Sequence, residues 1–387
     1  MITDNLSKME RKRFFKLACA GSLGAASYSG SIGCASRSIY QSNAKTTEPK
    51  KKTLMKVGCQ SGGTSKENLE FKARCGVFNI DGGAPKMIEG EGWDLNDSLA
   101  KKEACEKYGI TLEAYHLPLD SGGIERTSMP NIMLGKSPER DREIEILQNC
   151  IRVAGKTGIG FVTYNTTILP ILRTGRVIDP KRGNASYSAW NYEEALKLNE
   201  PKTIAGDVSV DQIFERITYL LDRLMPVAME YNVKLANHIA DPPVPAGYRG
   251  ITRWNSPDVF EGIKRFARLY DSSHHGFLLC LGSVAEGLKD PKTEILPIIK
   301  WIGERDQIFN IHLRNIKGGW NNFLEVYPDN GDMDFLEIIR ELRDVGYSGM
   351  LCPDHAPHHP DPASSGQAFA FAYGYIKALI HAVASEA

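Results

Sequence analysis

The sequence predicts an α/β fold, a (β/α)8 TIM barrel, and three observations carry that reading. Eight short apolar runs alternate with amphipathic stretches from residue 55 to the end of the 387-residue chain. Strand–helix alternation of that count is the rhythm of a closed parallel barrel. No GxGxxG stands between a strand and a helix, which removes the main support for an open doubly wound sheet. Polar residues of metal-binding type close four successive runs, which suits the rim where such barrels keep their chemistry.

The chain begins differently. Residues 1–34 order a basic segment, a mildly apolar stretch rich in Ala, Gly and Ser, and Cys34, as an export signal does. "RKRFFK" (residues 11–16) resembles a twin-arginine signal with Lys12 in place of the second Arg. "SIGC" (residues 31–34) resembles a lipoprotein box, with Cys34 as the residue to be lipidated. The competing reading is a disordered basic tail. Residues 35–54 read as a polar tether, and residues 55–387 as one catalytic domain. The expected location is therefore periplasmic or lipid-anchored at the cell envelope. The only expected membrane contact is that lipid anchor, because no other apolar run reaches the length of a span.

The strands then follow in order as "LMKVGCQ", "VFNID", "TLEAYHL", "GFVTYN", "KLANHI", "FLLCLG", "IFNIHLRNI" and "GMLCPDH". Between them, "DREIEILQNCIRVAGKTG" and "VDQIFERITYLLDRLMPVAMEYN" place apolar residues at i, i+3 and i+4, one face of a helix. Two stretches break the rhythm: residues 166–207, and the segment after "HLRNIKGGW". Both follow strands, so they are expected to be lid-forming loops over the site.

Bulk composition bounds the partners. Lys+Arg 47 balance Asp+Glu 47, which leaves no basic excess for nucleic acid. A small anionic substrate needs only a local Arg. The 8 cysteines show no CxxC pair and no disulfide framework, so most are expected to be buried thiols. A homo-oligomer is compatible with this composition.

His238, Cys280, His312 and Asp354 close the fifth to eighth runs. Singly, each histidine is more often a core residue and the cysteine a buried thiol. Together at four consecutive strand ends, two imidazoles, a thiolate and a carboxylate make a ligand set for a divalent transition metal. His355 beside Asp354 is the candidate acid/base group. Arg314 is expected to pair with a substrate carboxylate; a structural salt bridge is its bland alternative. Tyr164, Asn165, Arg173 and His116 are candidate substrate contacts. His274, His275 and His381 are read as structural or solvated, and His358 and His359 as residues of the loop after the eighth strand that touch either solvent or substrate.

With these residues in hand, the chain resembles the mannonate dehydratase family of xylose-isomerase-like barrels. The resemblance lies in "TYNTTILPILRTGR", "VKLANHIADPPVP", "GFLLCLGS", "IHLRNIK", "YPDNGDMDFLEIIRELRDVGYSG" and "CPDHA". It implies Mn²⁺ or Fe²⁺ on His238, Cys280, His312 and Asp354, with Zn²⁺ also compatible with the donors. It also implies dehydration of D-mannonate to 2-keto-3-deoxy-D-gluconate, hence a lyase acting on a small sugar acid. The departures are Ala240 where the family has an acid, Cys352 where it has an Arg, and the absence of its Gly-Tyr run after "PDH". These departures and the export signal leave two other readings open. One is an exported sugar isomerase, epimerase or keto-sugar eliminase on the same barrel. The other is a non-catalytic carbohydrate-binding lipoprotein.

Overall fold

A computed structural model describes residues 51–60 and 62–387, which fall in one compact unit running from residue 48 to 387. The signal, the lipidation site Cys34 and most of the tether lie outside the described residues.

Eight strands form a closed parallel barrel: β1 Lys56–Gln60, β2 Asn79–Gly82, β3 Thr111–His116, β4 Phe161–Tyr164, β5 Lys234–His238, β6 His275–Cys280, β7 Ile308–His312 and β8 Met350–Cys352. Each pairs with its sequence neighbours, and β8 closes on β1 through Lys56 opposite Met350 and Val57 opposite Leu351. All eight match the runs read from the sequence. Alternation along each strand sorts side chains into two layers. Ala114, Phe161, Ala236, Leu278, Phe309, Met350 and Cys352 fill the barrel interior. Ile80, Val162, Leu235, Leu279 and Ile311 face outward, into the core between strands and helices.

The two long helices form for reasons visible in their sequences. Ser209 and Gln212 make a reciprocal capping box at the start of Val210–Glu230, whose buried stripe runs through Ile213, Ile217, Leu220, Leu221 and Leu224. Helix Glu139–Lys156 buries Ile144, Leu147, Cys150, Ile151 and Ala154, with Glu139 and Asp141 in its first turn. No helix among the described residues is long and apolar enough to cross a membrane.

The two stretches that break the rhythm are not independent loops. Gly175–Asp179 and Ala185–Asn191 from the first join Asn315–Gly319, within "HLRNIKGGW", and Asn322–Val326 from the second in one antiparallel sheet. The run "IFNIHLRNI" accordingly splits: β7 stops at His312, and a lid strand starts at Asn315. The segment after β8 is tied to this lid by paired backbone hydrogen bonds between Ser186 and His358 (2.7 and 3.2 Å). A cross-linked sheet holds its side chains more rigidly than two free loops would, which matters for Glu325, described next.

Candidate metal centre and active site

The strand ends bring His238, Cys280 and His312 together, their ligand atoms all within 4.8 Å of one another. Asp354, two residues past the end of β8, places one carboxylate oxygen 3.4 Å from Cys280 Sγ and the other 3.6 Å from His312 Nδ1. The four residues read from the sequence are thus neighbours at the C-terminal rim.

Their environment suits a divalent ion. His238 Nδ1 lies 2.6 Å from the Ile239 carbonyl, so that nitrogen donates and Nε2 keeps its lone pair for the site. Both nitrogens of His312 are buried without a hydrogen-bond partner, a costly state unless one of them ligates. Burial depresses both imidazoles below their ordinary value, which favours the neutral, ligating form. Burial pushes the Cys280 thiol up, while Arg314 and the Ser283 side chain pull it back toward thiolate; the Ser283 N–H also points at Sγ from 3.5 Å. Burial opposes ionisation of Asp354, but His355, His312 and Arg314 outweigh it and hold the carboxyl well below the ordinary range.

A second group of acids lies beside this centre: Asp241, Glu286 and Glu325, all buried. Two guanidinium groups already sit among them. Arg314 Nη2 donates to Asp241 (2.6 Å) and Ser283 Oγ (3.0 Å), and Nη1 donates to Glu325 (2.7 Å). Arg173 pairs with the same Asp241 and Glu286, and makes a short bond to Glu325. This is an ion-pair cluster, not a second metal site. Burial works against Asp241 and Glu325 as anions, yet the two arginines lower both, Glu325 to about 2. Glu286 goes the other way, pushed well above its range by burial and by the neighbouring acids.

The structure corrects two roles expected from the sequence. Arg314 is fully buried and committed to this cluster, so it is not free to meet a substrate carboxylate. Its salt-bridge alternative is what the geometry shows. Tyr164 alternates outward from Thr163 and packs into the layer between strands and helices, away from the barrel axis. Asn165 turns back to the Leu119 carbonyl. Of the expected substrate contacts, Arg173 lines the cavity at the mouth, and His116 stands on the rim with Nε2 2.9 Å from Asp81 Oδ2.

That cavity, about 460 Å³, is walled by Gln60, Arg173, Glu325, Asp354, His355 and His358 among others. A larger depression of about 780 Å³ flanks the lid hairpin near Lys289, Trp320 and Asp332, and contains none of the strand-end ligands. In the smaller cavity His355 Nδ1 lies 2.7 Å from both Glu325 Oε1 and Arg314 Nη1, which fixes the ring, and Nε2 lies 3.7 Å from Asp354 Oδ1. Burial lowers the affinity of His355 for a proton, but Asp354 and Glu325 outweigh burial and raise it.

Sequence reading missed Glu325, Glu286, Gln60 and Asp81. Gln60, which donates to Asp354 Oδ1 at 2.6 Å, and Asp81 also stand at strand ends, so the rule applied to β5–β8 finds them when extended to β1 and β2. Glu325 gives no such signal, because it lies on a lid strand whose register is set by tertiary pairing. Cys352 points inward, its Sγ 3.6 Å from Asn310 Oδ1 and close to Gly58, where a side chain would collide with it. Ala240 is buried, and its carbonyl accepts from Asn255.

Comparisons with known proteins follow the same line. The family model of D-mannonate dehydratase (UxuA) matches residues 184–385. The mannonate dehydratase of Thermotoga petrophila is 29% identical over 314 residues, covering 72% of this chain and 82% of that protein. That of Streptococcus pneumoniae is 28% identical over 311 residues, covering 74% and 80%. The solved mannonate dehydratase of Streptococcus suis serotype 2 superimposes with a TM-score of 0.71 at 27% identity, over 86% of this chain and 94% of the other. A D-tagatose 3-epimerase-like protein shares the fold at a TM-score of 0.53 and 15% identity, over 86% of this chain and 99% of the other.

Proposed function

We propose, from the premise that this chain belongs to the D-mannonate dehydratase family and is a hydro-lyase, that it removes water from a sugar acid, D-mannonate in the first instance, with a divalent metal held by His238, Cys280, His312 and Asp354. The observation that carries the metal is the His238–Cys280–His312 cluster with its two orphaned His312 nitrogens. Mn²⁺ or Fe²⁺ is the reading the family favours, and the thiolate also suits Zn²⁺. A bound ion supplies a Lewis acid for the substrate carboxylate and adjacent hydroxyl, which makes the α-proton removable.

The chain's own groups do the rest. Arg173 pairs with the same three acids as Arg314, but its side chain is 15% exposed and lines the cavity where Arg314 is sealed off, so it replaces Arg314 as the candidate partner of the substrate carboxylate. His355 takes the C2 proton at Nε2, while Glu325 holds the opposite nitrogen. The C2 electron pair forms the C2–C3 double bond, the C3–O bond breaks, and the hydroxyl departs with a proton as water. The enol then ketonises to the 2-keto-3-deoxy acid. The lid sheet and the His358 segment wall the cavity against bulk water.

The test is anaerobic loading with Mn²⁺ or Fe²⁺, incubation with D-mannonate, and detection of the 2-keto-3-deoxy product. Cys280→Ser is expected to lower both bound metal and product formation by at least about tenfold. Failure of a fully metallated chain to form product would sink the D-mannonate reading. A second reading, another aldonate, is favoured by Cys352, which leaves no cation where the family carries an Arg. A panel of C2 and C3 epimers run in the same assay separates the two. Action outside the cytoplasm is proposed from residues 1–34 alone; a Cys34→Ala chain that fractionates with the membrane like the parent would count against lipidation.

A further inference from the structure

The metal ligands occupy only half of the rim. In the barrel order, β3 lies across from β7 and β2 across from β6, so His116 faces His312 and Asp81 faces Cys280 over the axis. The pair is unusual in its isolation. Asp81 is fully buried, and neither carboxylate oxygen has a hydrogen-bond partner among the described residues. Among the described residues its ion-pair companion is His116 Nε2 at 2.9 Å, off the line of a good hydrogen bond. Next to it, Thr163 on β4 buries a hydroxyl with no partner. A buried carboxylate spent on a single imidazole is costly as mere packing, since a pair of apolar residues would fill the same space at less cost.

The imidazole is placed to work. His116 is 35% exposed although its Nε2 is buried, so the open edge of the ring carries Nδ1. Burial disfavours the protonated ring, but Asp81 outweighs burial and raises its proton affinity, with Asp354 adding from across the site. That matches the chemistry the first half of the site lacks. His355 on the metal side can take a proton from carbon, but a hydroxide cannot leave C3 without receiving one.

Resting on the dehydratase reading above, we propose that His116, positioned by Asp81, is the acid that protonates the departing hydroxyl, acting from the side of the barrel opposite the metal ligands. The proton on Nδ1 passes to the C3 oxygen as the C3–O bond breaks, and water leaves. His116 is then neutral, its Nε2 still beside Asp81, and it regains a proton from solvent. No oxidant or further reactant enters.

The experiment separates the two proton transfers. The metallated full chain is incubated with unlabelled D-mannonate in D₂O, and both product and deuterium at C2 of recovered substrate are measured. In His116→Gln, product formation is expected to fall about 100-fold or more, while C2 exchange stays within about threefold of the parent's total proton abstraction. Asp81→Asn is expected to lower elimination relative to exchange by about tenfold, a partition that a merely structural role would not move. Metal content and thermal melting confirm that each variant is folded and loaded. Elimination within about threefold of the parent in His116→Gln overturns the proposal. So does loss of exchange together with elimination in a folded, metallated variant. A parent chain that neither exchanges nor eliminates would instead fail at the dehydratase reading, and this inference would fall with it.

Discussion

Gly282→Ala is the sharpest test of how the site is held. Gly282 lies in the short helix Leu281–Ala285 that follows Cys280, and a Cβ there would stand 2.1 Å from Arg314 Nε, 2.9 Å from Cζ and 3.0 Å from Cγ. Arg314 must then retreat by about 1.3 Å to reach the 3.4 Å of ordinary contact. Its bonds to Asp241 at 2.6 Å and Glu325 at 2.7 Å cannot stretch by that much and survive. Breaking a buried ion pair costs about 3–5 kcal/mol, and Ala in place of a helical Gly returns at most about 1 kcal/mol. The net expectation is a loss of about 2–4 kcal/mol. The control is Gly374→Ala in helix Ser364–Ala384, where a Cβ meets nothing within 4 Å and the propensity gain stands alone. Urea unfolding of the metal-free variants should separate them by about 3–5 kcal/mol. Equal stability of the two would refute the claim that Arg314 is locked by its carboxylate partners.

Other consequences are open to direct measurement. Glu325→Gln removes the anion that orients His355 and pairs with both arginines; kcat should fall about 10–100-fold with metal content unchanged, and an unaltered kcat would show that the lid carboxylate does not position the imidazole. Tyr164→Phe should leave steady-state kinetics within about twofold, because the ring faces the outer core; a larger effect would restore it to the site. His275, stacked on Phe266 with Nε2 3.0 Å from that residue's carbonyl, has its proton affinity lowered by burial. Because the folded value is the lower one, its contribution to stability is complete above the unfolded value of about 6.5 and declines as pH falls below it. His275→Gln should therefore lose less stability than the parent between pH 7 and pH 5, and an identical slope would contradict the assignment.

The sequence by itself determined the barrel. Strand runs and helical stripes are local patterns, and β1–β8 appear where alternation and turn residues place them. The four candidate ligands were legible for the same reason: closure of a parallel barrel brings consecutive strand ends to one rim, so residues from 238 to 354 meet without a short motif. Where a role depended on which way a side chain turns, local pattern was insufficient. Tyr164 and Thr163 are neighbours, and only the barrel's inside and outside distinguish them. Arg314 carries the same charge whether it faces substrate or protein. What commits it is the arrival of Asp241, Glu286 and Glu325 from three separate segments, together with the missing Cβ of Gly282. Glu325 reaches His355 because two insertions more than a hundred residues apart pair as one sheet. Such pairing is set by long-range backbone hydrogen bonds, whose register a chain does not announce until it has folded.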